Sequence, residues 1–210
     1  MSRINKIKFI LALVLFSQSC FAQFLKQGKL IAEAGLNVAT IQHNLPVTGL
    51  QPLFKYHYGL AIRQFLTTDN HLAIQFGAFI SSKGYRQEID KKSNTFNLEY
   101  LTFPLMLVWQ PVDIVAIQIG LTGGVRYNAR FTSQIGTRAI GKYYSNYDIG
   151  WLSGIHFLPG NKIGFYFRSN LGLYKLTEQP VFDHFGFPNG IMKQKNLVFQ
   201  SGISFNLAEL

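Results

Sequence analysis

Cysteine is almost missing from this chain: the 210 residues hold one, Cys20, close to the N-terminus. A disulfide framework, thiolate catalysis and cysteine-based zinc sites are therefore excluded for the rest of the chain. Acidic residues are scarce, 10 against 20 Lys and Arg. The basic residues are dispersed, with no Lys/Arg-rich run and no recognition-helix pattern, which argues against nucleic acid as a partner. There is no Gly-x-Ser-x-Gly, no His-Glu-x-x-His and no phosphate loop. The five histidines, His43, His57, His71, His156 and His184, have neither metal-ligand spacing nor a nucleophile motif beside them. No catalytic residue, metal or cofactor is expected, and lipid hydrolysis through His156 is the enzymatic alternative.

What is present begins with Arg3, Lys6 and Lys8 ahead of an apolar stretch from Phe9 to Phe16, then Ser17 to Gln23. This reads as a secretory signal peptide over 1–22, cleaved after Ala22. The apolar stretch is far short of the roughly 20 residues a helix needs to cross a bilayer. Lipidation of Cys20 is the rival, but Ser17-Gln18-Ser19 lacks the usual leucine three residues before the cysteine. Removing the leader's three basic residues leaves 17 against 10 acidic ones, a mature balance of +7. Residues 23–210 show no interdomain linker and read as one domain.

Period-two alternation, which sends successive side chains to opposite faces, marks the strands. It is clearest at 71–84, 112–128, 162–175 and 196–207. In the second of these Val115, Ile117, Ile119 and Leu121 oppose Ala116, Gln118, Gly120 and Thr122. Segments 29–41, 54–66 and 146–158 alternate more loosely. Segment 96–109 is apolar on both faces, and Pro104, which lacks a ladder donor, predicts a bulge or kink there. The connections run long, short, long, short: long at 42–53, 85–95, 129–145 and 177–194, short at Thr67 to Asn70, Gln110 to Asp113 and Pro159 to Asn161.

Segments of about 12 to 16 residues exceed ordinary soluble strands and suffice to cross hydrocarbon at a tilt. A secreted lipocalin-like barrel would turn its second face to water, where Lys and Glu abound. Here that face holds Gly, Ser, Asn, Gln and a few Arg, which suits a narrow lumen. The expected fold is all-β: an eight-stranded antiparallel up-and-down transmembrane β-barrel in the outer membrane. Its termini and short turns are periplasmic, and its four long loops are external. Tyr56, Tyr127 and Tyr147 would form the girdle at the loop side, with Phe157, Phe165, Phe205 and Trp109 at the turn side. The partner is outer-membrane lipid, which loop cations such as Lys83, Arg86, Arg130, Arg138 and Lys142 meet if they do not face solvent.

The lumen would hold Glu33, Arg63, Glu99, Arg126, Asp148 and Arg168. Enclosed charges must be paired or hydrated. Arg126, Asp148 and Glu99 fall toward the loop end, Arg168 near mid-height, and Glu33 and Arg63 toward the turn end, predicting two ion-pair clusters that plug the pore. The loops carry Tyr143, Tyr144, Phe182, Phe185 and Phe187, which either contact a partner or fold over the barrel mouth.

The run Asn97-Leu98-Glu99-Tyr100-Leu101-Thr102-Phe103-Pro104-Leu105-Met106-Leu107 resembles the "LEYLEIPLLLK" signature of the PorT-like outer-membrane barrel proteins of Bacteroidota. Ser81-Ser82-Lys83-Gly84 and Gly120-Leu121-Thr122-Gly123-Gly124 are similar to that family's "YSxKG" and "GPYxG" segments. The chain departs from the pattern at Thr102-Phe103, and it ends Ala208-Glu209-Leu210 rather than on an aromatic. The resemblance implies an eight-stranded outer-membrane barrel and membrane-complex partners in secretion of the type IX kind or in outer-membrane assembly.

Overall fold

The computed structural model describes residues 28–44, 49–89, 92–182 and 188–210. The expected leader at 1–22, together with Phe185 and Phe187, lies outside the described residues. Ten strands follow in chain order: β1 (Gly28–His43), β2 (Leu50–Phe65), β3 (Leu72–Ile89), β4 (Lys92–Val112), β5 (Val115–Ser133), β6 (Gly136–Ala139), β7 (Tyr147–Phe157), β8 (Ile163–Gly172), β9 (Thr177–Phe182) and β10 (Pro188–Glu209). Eight of them close one antiparallel ring, β1-β2-β3-β4-β5-β7-β8-β10 and back to β1, while β6 folds onto β5 and β9 onto β10. The closing ladder runs from Lys29↔Glu209 to His43↔Gln194. A closed ring gives main-chain groups ladder partners, as hydrocarbon demands, and removes the free edges on which another chain would pair.

The faces follow solvent chemistry. On β8, Ile163, Phe165, Phe167 and Leu171 point outward, while Gly164, Tyr166, Arg168, Asn170 and Gly172 point inward. On β4, Leu98, Tyr100, Thr102, Pro104, Met106 and Val108 are turned inward and Leu101, Phe103, Leu105, Leu107 and Trp109 outward, which resolves the two-faced segment. Tyr56, Tyr127 and Tyr147 are exposed at one rim of this apolar belt, and Trp109, Phe157, Phe165 and Phe205 at the other.

Two expectations change. The long connections are largely strand: β3 runs on to Ile89, pairing with β4 down to Ile89↔Lys92, and β5 runs to Ser133 before turning back as β6. Beyond the lipid belt the outward face meets water, so the pattern inverts. Tyr85, Phe96 and Leu98 turn inward while Arg86, Asn97 and Glu99 turn outward, and the apolar-out signal that marked the strands disappears although the ladder continues. Pro104 inserts no extra residue either, because the β3–β4 register is the same at Phe76↔Leu105 and Phe79↔Thr102. The irregularity lies against β5, between Glu99 and Tyr100.

Candidate functional site

Alternation on a barrel wall sends one residue in two into the lumen, and ring closure decides which of these meet. Glu33 of β1, 2% exposed, accepts a two-pronged contact from Arg168 of β8, Nη1 to Oε2 at 2.5 Å and Nη2 to Oε1 at 2.8 Å. Such forked geometry suits the planar guanidinium. Arg168 Nε donates to Gln118 Oε1 on β5 at 2.7 Å, and its guanidinium lies 4.1 Å from the Tyr166 ring centroid. Gly154 makes room for it, since a Cβ there would sit 2.7 Å from Arg168 Cγ. Gln75 of β3 relays the network, donating to Glu33 Oε1 at 2.8 Å and accepting from Arg63 Nε at 3.0 Å and Nη2 at 2.8 Å. Arg63 Nη1 also donates to the Pro159 carbonyl at 3.2 Å.

Arg63 Nη2 lies 2.8 Å from His156 Nδ1, and His156 Nε2 lies 2.8 Å from Ser204 Oγ. A guanidinium can only donate, so Nδ1 is the acceptor and the imidazole proton sits on Nε2, pointing at Ser204. That tautomer cannot take a proton from Ser204. The histidine and serine that stand closest to a hydrolytic pair are held the wrong way round for general-base work. Among the described residues no group of three or more His, Cys, Asp and Glu side chains is placed to hold a metal.

Toward the loop end the ion pair differs from the expected cluster. Asp148 Oδ2 meets Lys83 Nζ at 2.7 Å and accepts from Asn196 Nδ2 at 3.0 Å. Lys83, read with the loop cations, is 1% exposed and belongs to the lumen. Its place on the Gln75, Ser81, Lys83 face was the available signal. Arg126 does not join this pair. It ties down the loop, donating to the carbonyls of Ser145, Gly141 and Tyr144 and to Asn146 Oδ1. Glu99 is half-buried on the outward side, where Asn128 Nδ2 donates to it at 2.8 Å, because it shares the face of Leu101, Phe103 and Leu105 on a regularly alternating β4. Between the two charged layers a cavity of about 20 Å³, lined by His57, Thr102, Arg168 and Asn170, holds room for about one water.

The loop end is closed by an apolar cluster of Ile41, Tyr85, Leu98, Ala129, Ile140, Tyr144 and Leu176, against which Phe96 and Phe131 pack. Tyr85 and Phe96 stack at 4.4 Å, and the Tyr85 and Tyr144 hydroxyls are 3.0 Å apart. Tyr144, 8% exposed, is part of this cap and not of a contact surface. Tyr143 is 58% exposed beneath Lys142 Nζ, 5.1 Å from its ring centroid. Arg138 lies over Phe131 at 4.9 Å, and grooves of about 490 and 430 Å³ flank it. The tip residue of this hairpin, Ile135, is fully exposed. Phe182 ends β9, paired with Pro188 of β10.

The family described as "Outer membrane protein beta-barrel domain" matches residues 21–178. Neisserial surface protein A is similar in fold: 10% identical, it covers 85% of this chain and 97% of its own with a TM-score of 0.51. Ail, the attachment invasion locus protein of Yersinia pestis, is 15% identical over 85% of this chain and 99% of its own, with a TM-score of 0.44. OprG from Pseudomonas aeruginosa is 10% identical over 87% and 97%, with a TM-score of 0.44. No curated protein matches the chain.

Proposed function

We propose, for a chain that belongs to the outer membrane protein beta-barrel domain family, that it is a plugged, non-enzymatic outer-membrane barrel that works through its loop-end surface. The observation that carries this reading is the Glu33–Arg168–Gln75–Arg63 network, which ties β1, β2, β3 and β8 together across the lumen. An eight-stranded interior is only wide enough for side chains to fill it. Conductance in planar bilayers tests the plug: the purified protein gives no stable open level, and a persistent aqueous pore would overturn the reading. The His156 tautomer supports the absence of hydrolysis. A lipid-cleaving activity abolished by His156→Ala would reverse that assignment.

Contact with a partner falls to the β5–β6 hairpin and the turn after it, where Ile135, Arg138, Lys142 and Tyr143 are exposed over an aromatic floor. The signal peptide at 1–22 starts the mature chain in the periplasm, and an even number of crossings returns the C-terminus there, leaving this hairpin outside. The finer assignment, a PorT-like accessory of a secretion or assembly complex, rests on the resemblance of the 97–107 run. Affinity capture from native outer membranes tests it: the wild type recovers membrane-protein partners that an Arg138→Gln/Tyr143→Ala variant loses. Recovery of a lone monomer under mild detergent would count against it.

A further inference from the structure

The outward wall carries one polar notch at the upper edge of the apolar belt. Three backbone irregularities meet there. The β2–β3 register shifts between Pro52 and His57, the β4–β5 register shifts between Glu99 and Tyr100, and Gly84 of β3 has φ 136°. A Cβ on Gly84 would collide with the Phe96 carbonyl oxygen. With no side chain at Gly84, Lys55 of β2 passes across β3 and donates from Nζ to Asn97 Oδ1 on β4. Asn97 and Glu99 alternate with the inward Leu98 and Tyr100, so this bond lies on the outer surface.

Charge in the notch is unbalanced. Lys55 is within electrostatic reach of both Arg86 and Glu99, Arg130 stands opposite Asn97 in the β4–β5 ladder, and Glu88 lies two residues along from Arg86 on the same face, so three cations meet two carboxylates. Tyr127 lies within reach of Glu99, Tyr56 and Tyr58, and the last two rings stack at 6.1 Å. Below the notch the wall is apolar, through Leu60, Leu101 and Phe103. A Lys on the lipid face is costly at the bilayer midplane and nearly free at the interface, which fixes the notch at headgroup depth.

We propose that this notch binds a phosphorylated glycolipid of the outer leaflet. Its phosphate meets Lys55 and Arg86, its sugar rests on the tyrosine faces, and its acyl chains lie along the apolar wall below. The proposal rests on the membrane-barrel reading with the loop end outside. Amphipathic aromatic rings and a surplus of cations at one depth match a ligand that is anionic, hydroxylated and apolar in that order.

The test uses the purified full-length barrel in nanodiscs containing lipid A, dephosphorylated lipid A or phosphatidylethanolamine, with retained lipid counted by native mass spectrometry. The wild type retains lipid A at least about ten-fold more than either of the other two, and Lys55→Gln/Arg86→Gln loses about ten-fold of that retention. Lys162→Gln, at a periplasmic turn, leaves it unchanged. Equal retention of dephosphorylated lipid A, or full retention by the double variant, would overturn the site. Heat-modifiable gel migration shows that each variant is inserted and folded. A failure of the barrel reading would therefore appear as loss of insertion, and a failure of the notch as an inserted barrel without lipid discrimination.

Discussion

At the scale of single residues the buried Glu33–Arg168 pair illustrates why removing one partner differs from removing both. Glu33 is enclosed with hydrogen bonds from Arg168 and Gln75, so its oxygens are compensated where they sit. Taking away the carboxylate strands a buried guanidinium, and breaking such a pair costs about 3–5 kcal/mol, whereas replacing both partners by apolar groups is often near neutral. Glu33→Leu should therefore destabilise the barrel by that amount in urea unfolding from liposomes, and Glu33→Leu/Arg168→Met should cost less than either single change. A double variant worse than both singles would mean that the pair is not the unit. Lumen membership of Glu33, Arg63, Asp148 and Arg168 follows from strand parity alone. Partner choice does not: Arg63 reaches Glu33 only through Gln75, and Asp148 takes Lys83 instead of Arg126.

At the scale of elements, the strands outrun the membrane. The tops of β3, β4 and β5 keep their ladders above the belt and close the mouth with Tyr85, Phe96, Phe131 and Tyr144. Burial pushes the Tyr85 phenol above its ordinary range, with the neighbouring Tyr144 adding to the shift, and burial also raises Tyr144. Both phenols are neutral in the folded cap. Their contribution is whole below the unfolded value of about 10 and is lost as pH rises past it, because the unfolded chain ionises first. Ultraviolet titration should show these two tyrosines ionising later than the exposed ones, together with cap opening measured by amide exchange around 85–98. Normal titration of all the tyrosines would contradict the packing.

At the scale of the whole molecule, closure between β1 and β10 lets β1, β2, β3 and β8 share one hydrogen-bonded network across the lumen. Glu33 and Arg168 stand on strands separated by β10, so they meet only through the narrow interior. Replacing Glu33, Arg63 and Arg168 together by Ala should convert a silent barrel into one with measurable conductance, provided that gel migration shows it still inserts. A triple variant as silent as the wild type would assign the block to the apolar cap instead.

By itself the sequence determined the strand periodicity, the inward and outward faces within the belt and the membrane class of the fold, because the partition of side chains between lipid and lumen is written locally at period two. The upper strand ends were not legible, since beyond the lipid the outward face turns polar and the alternation changes phase while hydrogen bonding continues. Only the tertiary structure decided which lumen charges pair, that the two-faced β4 turns Glu99 outside, and that Tyr144 caps the mouth. Pairing depends on the register at ring closure and on two ladder shifts, whose extra residues lie on β2 and on β5 and change which side chains stand opposite one another above them.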